Sequence, residues 1–314
     1  MSRLLWGVAM FFLGIMTSFA QCCSAGNPVG SNGFEEGLTK NQLRFISYFK
    51  QSNSDKYYHK DSYFNQPIIN SSSFSFWFLS SSYGITKNLS LNSDIGYFFD
   101  KSQELTINSS PLKIASSGFG DFGLSLRYNN IDDENNTQWN LFVGSKLPVG
   151  AFEEEIDGVL IPLSLQPSSG AFRYNVGGFY GKYFPRTGFG LSTSLIFESS
   201  LWIKKEYIIY KYGNYMQYIV NGSYLWRKFL FISSLKMDYR FKDLRDNDLI
   251  VESSGGFALI FSPRIQYQVI PNWELLFQFE QPLYRYVNGF QIVNKMSFFA
   301  GVMFNLNLCK KNEE

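Results

Sequence analysis

This chain is poor in the residues from which most active sites are built. Its 314 residues include one histidine, three cysteines and 10 prolines. The single histidine, His59, lies in a polar loop rather than on a strand that could orient it beside a serine, and no His and Cys positions have the spacing of zinc ligands. Charged residues make up only 17% of the chain and the net charge is +2, which argues against a polybasic nucleic-acid binder. We therefore expect no enzyme, no metal or other cofactor and no nucleic-acid partner.

Long apolar runs are missing after the first 20 residues. Residues 1–20 combine a basic start, an apolar core that is too short to span a bilayer, and the small-x-small pattern of a signal-peptidase site ending at Ala20. A retained membrane anchor is the alternative. Cleavage after Ala20 is expected, and since Gln21 is large and polar, Cys22 should not be lipidated. The predicted organisation is a signal peptide at 1–20, a periplasmic leader at 21–40, a barrel at 41–309 and a tail at 310–314.

Aromatic residues are abundant, and they alternate with small and polar ones. Phe, Tyr and Trp make up 18% of the chain. In the stretch that starts at Asp121, Phe122, Leu124 and Leu126 share one face of a strand, while Asp121 and Gly123 share the other. This alternation recurs from about residue 43 to residue 308 behind a secretory signal. We predict an all-β transmembrane antiparallel barrel in the outer membrane of a Gram-negative bacterium; the alternative is a soluble sandwich.

Twelve segments are strand candidates: 43–50, 73–83, 89–99, 118–128, 139–147, 172–183, 188–198, 211–226, 229–241, 257–269, 273–280 and 295–308. Their connections alternate between tight turns and long polar loops, as in barrels with short periplasmic turns and long extracellular loops. The connection at 129–138 is the exception, because it is longer than the other connections at the end with the tight turns. Trp139, Trp226 and Trp273 fall at the short-turn end, where they predict half of an aromatic girdle. In the tenth strand Pro263 predicts a bulge.

The charged residues of these strands predict a lumen that carries both signs. A lysine or arginine that faces lipid costs about 2 to 4 kcal/mol near the midplane, so we expect such side chains to point inward while Phe231, Leu235 and Met237 face lipid. The lumen-lining candidates are Arg44, Asp94, Asp121, Arg127, Lys146, Arg173, Lys236, Asp238, Arg240, Arg264, Glu274 and Glu280, together with Glu198 and Lys211. Salt-bridged scaffolding is the alternative role for each of them. Asp121 and Lys146 are candidates to pair.

Two sets of motifs resemble known outer-membrane sequences. Residues 301–306 are similar to the G-x-x-aromatic-x-hydrophobic signal that the barrel insertion machinery reads, although the chain continues past Leu308. Residues 117–121, 144–150 and 165–172 resemble the outer-membrane family catalogued as MetA-pathway of phenol degradation. The resemblance implies a transporter-like barrel that admits small, often hydrophobic or aromatic solutes, and it carries over no site residue.

Two functions are compatible with the sequence. One is an outer-membrane channel for small solutes, which a wet continuous lumen would favour. The other is a non-transporting surface barrel whose extracellular loops bind an external partner, which a lumen closed by side-chain pairs would favour. Outer-membrane lipid is an expected partner of both.

The cysteines allow a disulfide at the periplasmic end. Barrel closure makes the first and last strands neighbours, so Cys22 or Cys23 of the leader could reach Cys309 in the oxidising periplasm. A bond between Cys22 and Cys23, or three free thiols, is the alternative.

Overall fold

The chain folds into a single closed sheet of twelve antiparallel strands. The computed structural model describes residues 37–65, 69–107, 110–246 and 248–308. The wall consists of β1 (Gln42–Ser54), β2 (Ile69–Gly84), β3 (Leu89–Ile107), β4 (Phe122–Asp132), β5 (Thr137–Leu147), β6 (Arg173–Phe184), β7 (Phe189–Ser200), β8 (Tyr215–Trp226), β9 (Phe229–Arg240), β10 (Gly256–Ile270), β11 (Trp273–Val293) and β12 (Met296–Asn307). Every strand pairs with its neighbours in sequence, and β12 also pairs with β1. The predicted twelve-stranded barrel is confirmed.

The wall has two faces because successive side chains of a strand point to opposite sides. In β9, Phe231 and Tyr239 are exposed on the outside, whereas Lys236 is buried inside. Leu235 and Met237 share the outer face with Phe231. Closure pairs the backbone of each strand on both sides, which is the condition for crossing a hydrocarbon layer with strands.

One end of the barrel, the short-turn end, carries the connections 85–88, 133–136, 185–188, 227–228 and 271–272. Trp139, Trp226 and Trp273 are exposed at this end, where the sequence predicts a girdle. The predicted long turn at 129–138 is wrong, because β4 continues to Asp132 and β5 begins at Thr137. Its polar side chains extend the strands: Asn129 and Asn140 are opposite each other and both are fully buried.

The opposite end, the long-loop end, contains more strand than the sequence predicts. The expected loop at 100–117 is a hairpin in which β3 pairs with a strand at Ser110–Phe119. The expected loop at 281–294 is the continuation of β11, which pairs there with the strand Lys56–Lys60. These predictions were wrong because the strands continue beyond the apolar stretch that a membrane requires.

One further prediction is corrected at this end. Lys211 lies in the short loop strand Ile209–Lys211 and not in the wall, since β8 begins only at Tyr215.

The tenth strand is irregular, as predicted, but away from its proline. The register of β10 against β11 shifts between Leu259 and Ile260 at the long-loop end and between Gln268 and Ile270 at the short-turn end, while Pro263 keeps its place opposite Ser233 of β9.

Among the described residues, no helix is long and apolar enough to cross a membrane. The predicted signal peptide, the C-terminal tail and the three cysteines lie outside the described residues. Of the predicted leader, Leu38 is buried at the short-turn end, and the amide of the neighbouring Asn41 donates to the Gly84 carbonyl at 2.8 Å.

Candidate solute pathway inside the barrel

One sector of the interior is filled by apolar side chains. We call this cluster, contributed by β1, β2, β3, β11 and β12, the aromatic wall: Ile46, Tyr48, Phe74, Phe76, Phe78, Phe98, Leu276, Phe299 and Met303. Tyr48 stacks on Phe78 with 4.8 Å between ring centroids, and the Phe76 and Phe98 rings are 4.5 Å apart. Gly96 makes this packing possible, because a Cβ atom there would lie 2.0 Å from the Phe76 ring. Buried aromatic and aliphatic side chains therefore occupy this sector of the interior.

The connection between β5 and β6 folds into the barrel instead of projecting from it. We call residues 148–172 the constriction loop. Leu165, Gln166 and Ser168 are almost completely buried. The Lys101 ammonium donates to the Gln166 carbonyl at 2.8 Å, and the Ser116 hydroxyl donates to the Leu165 carbonyl. The loop therefore contacts the wall through polar groups, and it narrows the lumen at the long-loop end.

A second set of polar contacts holds the constriction loop through Asp121. One carboxylate oxygen of Asp121 accepts from the Ser168 hydroxyl at 2.7 Å and from the Ser169 amide at 2.9 Å, and the other accepts from the Ser169 hydroxyl at 2.5 Å. The Arg173 guanidinium also donates to this carboxylate at 2.6 Å. Tyr212 of the next loop donates to the Ser169 carbonyl at 3.1 Å. Each oxygen of this buried carboxylate has a partner, which is the condition for burying a charge.

The same arginine extends the contacts down the wall. Arg173 also donates to Glu198 at 2.8 Å, and Glu198 pairs through its other oxygen with Lys146 at 2.6 Å. Asp121, Arg173, Glu198 and Lys146 thus form one chain of alternating charges, the Asp121 network. The sequence-based pairing of Asp121 with Lys146 is wrong: Asp121 pairs with Arg173, the cross-strand neighbour of Lys146, and Lys146 pairs with Glu198.

A smaller network lies on the opposite side of the lumen. Glu280 accepts from Lys236 at 2.6 Å and from Lys50 at 3.2 Å. Lys50 also lies over the Phe299 ring at 4.4 Å, where the charge contacts the aromatic wall. Gln278 joins Arg264 to Ser262 with two hydrogen bonds of 2.8 Å. These contacts close this side with paired polar groups.

The remaining sector, from β2 to β6, is lined by small side chains. Ser82, Asn92, Ser125, Gly144 and Asn175 are consecutive cross-strand neighbours on the inner face, and we call them the polar row. One inward position further toward the long-loop end, Ser80, Asp94, Gly123, Lys146 and Arg173 form a parallel row. Because the side chains of the polar row are short, a cavity of about 60 Å³ remains against them. Arg127, Lys146 and Asp94 line it together with the apolar Ile46, Phe78 and Phe142.

The other sequence-predicted side chains lie along the same interior. Arg44 donates to Asn305 at 2.9 Å, Asp238 accepts from Gln217 at 2.9 Å, the Arg240 guanidinium lies 5.6 Å from the Tyr215 ring, and Glu274 is half-buried near the short-turn end. Among the described residues, ten basic and six acidic side chains face the interior of the wall: Arg44, Lys50, Lys101, Arg127, Lys146, Arg173, Lys236, Arg240, Arg264 and Arg285, against Asp94, Asp121, Glu198, Asp238, Glu274 and Glu280. Whether any of them contacts a solute stays a prediction.

Sequence reasoning missed three parts of this site. Lys50 is the last residue of the first predicted strand, and Lys101 falls in the expected loop after β3. The aromatic wall was missed because its phenylalanines point inward. Ser168 and Ser169 belong to a motif of the family resemblance, but the pattern gives no sign that they bind Asp121.

The loops at the long-loop end pack against one another over the barrel mouth. Ala171, Ile203, Ile208 and Tyr210 form a buried cluster with residues of three loops packed around it. Tyr210 donates to the buried carboxylate of Asp243 at 2.5 Å. Burial and this carboxylate raise the pKa of the Tyr210 hydroxyl, so it remains a protonated donor. These loops form an ordered cap.

The same architecture occurs in solved outer-membrane proteins. The COG4313 outer membrane channel from Pseudomonas putida F1 superposes with a TM-score of 0.71 at 13% identity, over 87% of this chain and 98% of that one. The fold is that of an outer-membrane barrel. The NanC porin matches with a TM-score of 0.48 at 12% identity, over 83% of this chain and 100% of that one. No family profile and no curated protein sequence matches this chain.

Proposed function

We propose that this protein is an outer-membrane channel for small solutes, with a narrow path that the constriction loop controls. The observation that carries the proposal is the cavity on the polar row, which lies between Ile46 and Phe78 of the aromatic wall and Lys146 of the Asp121 network. A wall made only for stability would fill this space with side chains, because protein interiors close-pack. The likeness to an outer-membrane channel at the level of fold supports the proposal.

The proposal includes the location and the solute. Short turns then face the periplasm and the cap faces outside, in the outer membrane of a Gram-negative bacterium. Solutes are small, and hydrophobic or aromatic groups on them would meet Ile46, Phe78 and Phe142 at the cavity edge. The chain is then not an enzyme; its one histidine, His59, stacks on Phe290 in a hairpin of the long-loop end with 4.5 Å between centroids.

The cap favours a second candidate, a non-transporting barrel whose loops bind an external partner. Large apolar side chains are exposed on it, including Tyr207 at 81% and Val159 at 70%. Paired polar groups also close much of the lumen, which is the feature that a barrel without transport would have.

Conductance in a planar bilayer separates the two candidates. Ser125→Trp places an indole in the cavity, whereas Leu126→Trp adds the same side chain to the lipid face one residue away. A channel should conduct as wild type and as Leu126→Trp, and Ser125→Trp should lose most of the current. Current that is absent in correctly folded wild type, or that is indifferent to Ser125→Trp, would contradict a pathway at the polar row.

A further inference from the structure

We infer that the pathway along the polar row selects small organic anions over cations. The inference rests on the proposed channel function and adds the charge class of the solute. It is based on the positions of the charged side chains of the lumen relative to the polar row.

The first step concerns space. In the described part of the lumen, the small side chains of the polar row leave a cavity beside Ile46 and Phe78 of the aromatic wall. A solute that moves along this row has Ser82, Asn92 and Ser125 beside it. These groups donate and accept hydrogen bonds, but they carry no charge.

The second step concerns which charges flank that path. Along β4, the inward positions are Gly123, Ser125 and Arg127, so Arg127 lies one position below the polar row and Lys146, the neighbour of Gly123, lies one position above it. Asp94 is the acidic residue that lines the same cavity. Lys146 is paired with Glu198 at 2.6 Å, whereas the Arg127 guanidinium lies over the Phe142 ring. A solute at Ser125 therefore has Arg127 on one side, and on the other side Asp94 and the Lys146–Glu198 pair.

The third step concerns the long-range field. Ten basic and six acidic side chains of the described wall strands face the interior, which gives the inner face of the wall an excess of positive charge. Low-dielectric walls focus the field of such an excess into the water-filled part of a pore. Rings of arginine and lysine confer anion selectivity in pores for the same reason.

The apolar lining narrows the class of anion. Ile46, Phe78 and Phe142 line the same cavity as the serines, and Phe142 also packs under the Arg127 guanidinium at 5.4 Å. A carboxylate or sulfonate with a short hydrocarbon portion matches this pairing of cations and apolar surface better than a strongly hydrated inorganic ion does.

Modification of single cysteines by charged thiol reagents tests the inference. In full-length protein in which Cys22, Cys23 and Cys309 are serine, Ser125→Cys and Ser82→Cys place a thiol on the path, and Leu126→Cys places one on the lipid face as the control. Each is treated in a conducting bilayer at low salt with 2-sulfonatoethyl methanethiosulfonate, an anion, or with 2-(trimethylammonium)ethyl methanethiosulfonate, a cation of similar size. The fall in current gives the reaction rate.

We expect the anionic reagent to modify Ser125→Cys and Ser82→Cys at least about tenfold faster than the cationic one, a ratio within the range that focused fields produce. Leu126→Cys should react with neither. Arg127→Gln, added to Ser125→Cys, should reduce the ratio. Equal rates, a faster cation, or no modification of a conducting channel would overturn the inference while leaving the channel function intact. A correctly folded protein without current would instead overturn the channel function, and the inference with it.

Discussion

Arg173 is the side chain whose loss should affect the constriction most. It donates to Asp121 at 2.6 Å and to Glu198 at 2.8 Å, and all three side chains are almost completely shielded from solvent. Arg173→Met keeps the apolar stem and removes both ion pairs. Removing one partner of a buried ion pair usually costs about 3 to 5 kcal/mol, because the remaining charge is left uncompensated. We expect a cost at the lower end of this range, because both carboxylates retain other partners. Asp121 still accepts hydrogen bonds from Ser168 and Ser169, and Glu198 still pairs with Lys146.

The assay is guanidinium unfolding of the folded barrel in micelles, combined with single-channel recording. Arg173→Met should lower the free energy of unfolding by about 3 kcal/mol and raise the conductance, because the constriction loop loses one side of its anchor. Lys205→Met is the matched control: its pair with Glu153 at 2.9 Å is solvent-exposed, and such pairs contribute about 0 to 1 kcal/mol. Arg173→Lys should restore part of the stability, since it keeps the charge but not the two-pronged geometry. Equal unfolding midpoints for Arg173→Met and Lys205→Met would refute the reasoning.

Three further substitutions test other parts of the structure. Leu235→Lys should destabilise the barrel by about 2 to 4 kcal/mol in denaturant titrations if Leu235 faces lipid near the midplane, whereas Phe241→Lys near the membrane edge should cost about 0 to 1 kcal/mol; similar losses would place the strand wrongly in the bilayer. Gly144→Ala should cost about 1 to 3 kcal/mol, since its Cβ would lie 2.6 Å from the Asn175 amide oxygen, while Gly222→Ala, with nothing within 4 Å, should be close to neutral. Tyr210→Phe should leave the Asp243 carboxylate short of a donor and increase protease cleavage of the cap loops without changing the melting of the wall; unchanged cleavage would show that the hydrogen bond does not order the cap.

The sequence was sufficient to predict the wall of the barrel, because the alternation of apolar and polar residues, the predicted signal peptide and the lengths of the connections all indicate the same fold. It was insufficient where the alternation inverts. In the upper part of β2, Phe74, Phe76 and Phe78 point inward, and Ser73 and Ser75 point outward. The rule that apolar side chains face lipid would assign these phenylalanines to the outer face and these serines to the inner face, which is the reverse of the structure. Its outer polar groups are satisfied by one another, as when Ser75 donates to Gln51 of β1 at 2.5 Å. Such pairing depends on the neighbouring strand, so it is not visible in the sequence of β2.

The same inversion limits what could be predicted of the site. Charged side chains can be assigned to the inside from the cost of exposing them to lipid, but their partners are set by register. Arg173 contacts Asp121 and Glu198 because β6 lies beside β7 and below the constriction loop, a relationship between positions 52 and 25 residues apart. Nothing in the pattern of charges indicated that 148–172 would fold inward, because a polar segment between strands is equally typical of a projecting loop.

The two ways in which the lumen is closed differ in how easily they can be reversed. The cavity of about 60 Å³ is smaller than the roughly 150 Å³ that admits a benzene molecule, so a solute of that size requires movement of the surrounding groups. Exposing one phenylalanine of the aromatic wall to water costs about 1.5 to 3 kcal/mol. The hydrogen bonds that hold the constriction loop to Asp121 and Lys101 exchange for water at about 0.5 to 1.5 kcal/mol each, or up to about 3 where a charge takes part. Water that enters the lumen can solvate these groups, but it cannot solvate the rings. If the barrel is a channel as proposed, we therefore expect the constriction loop to move when a solute passes and the aromatic wall to stay fixed.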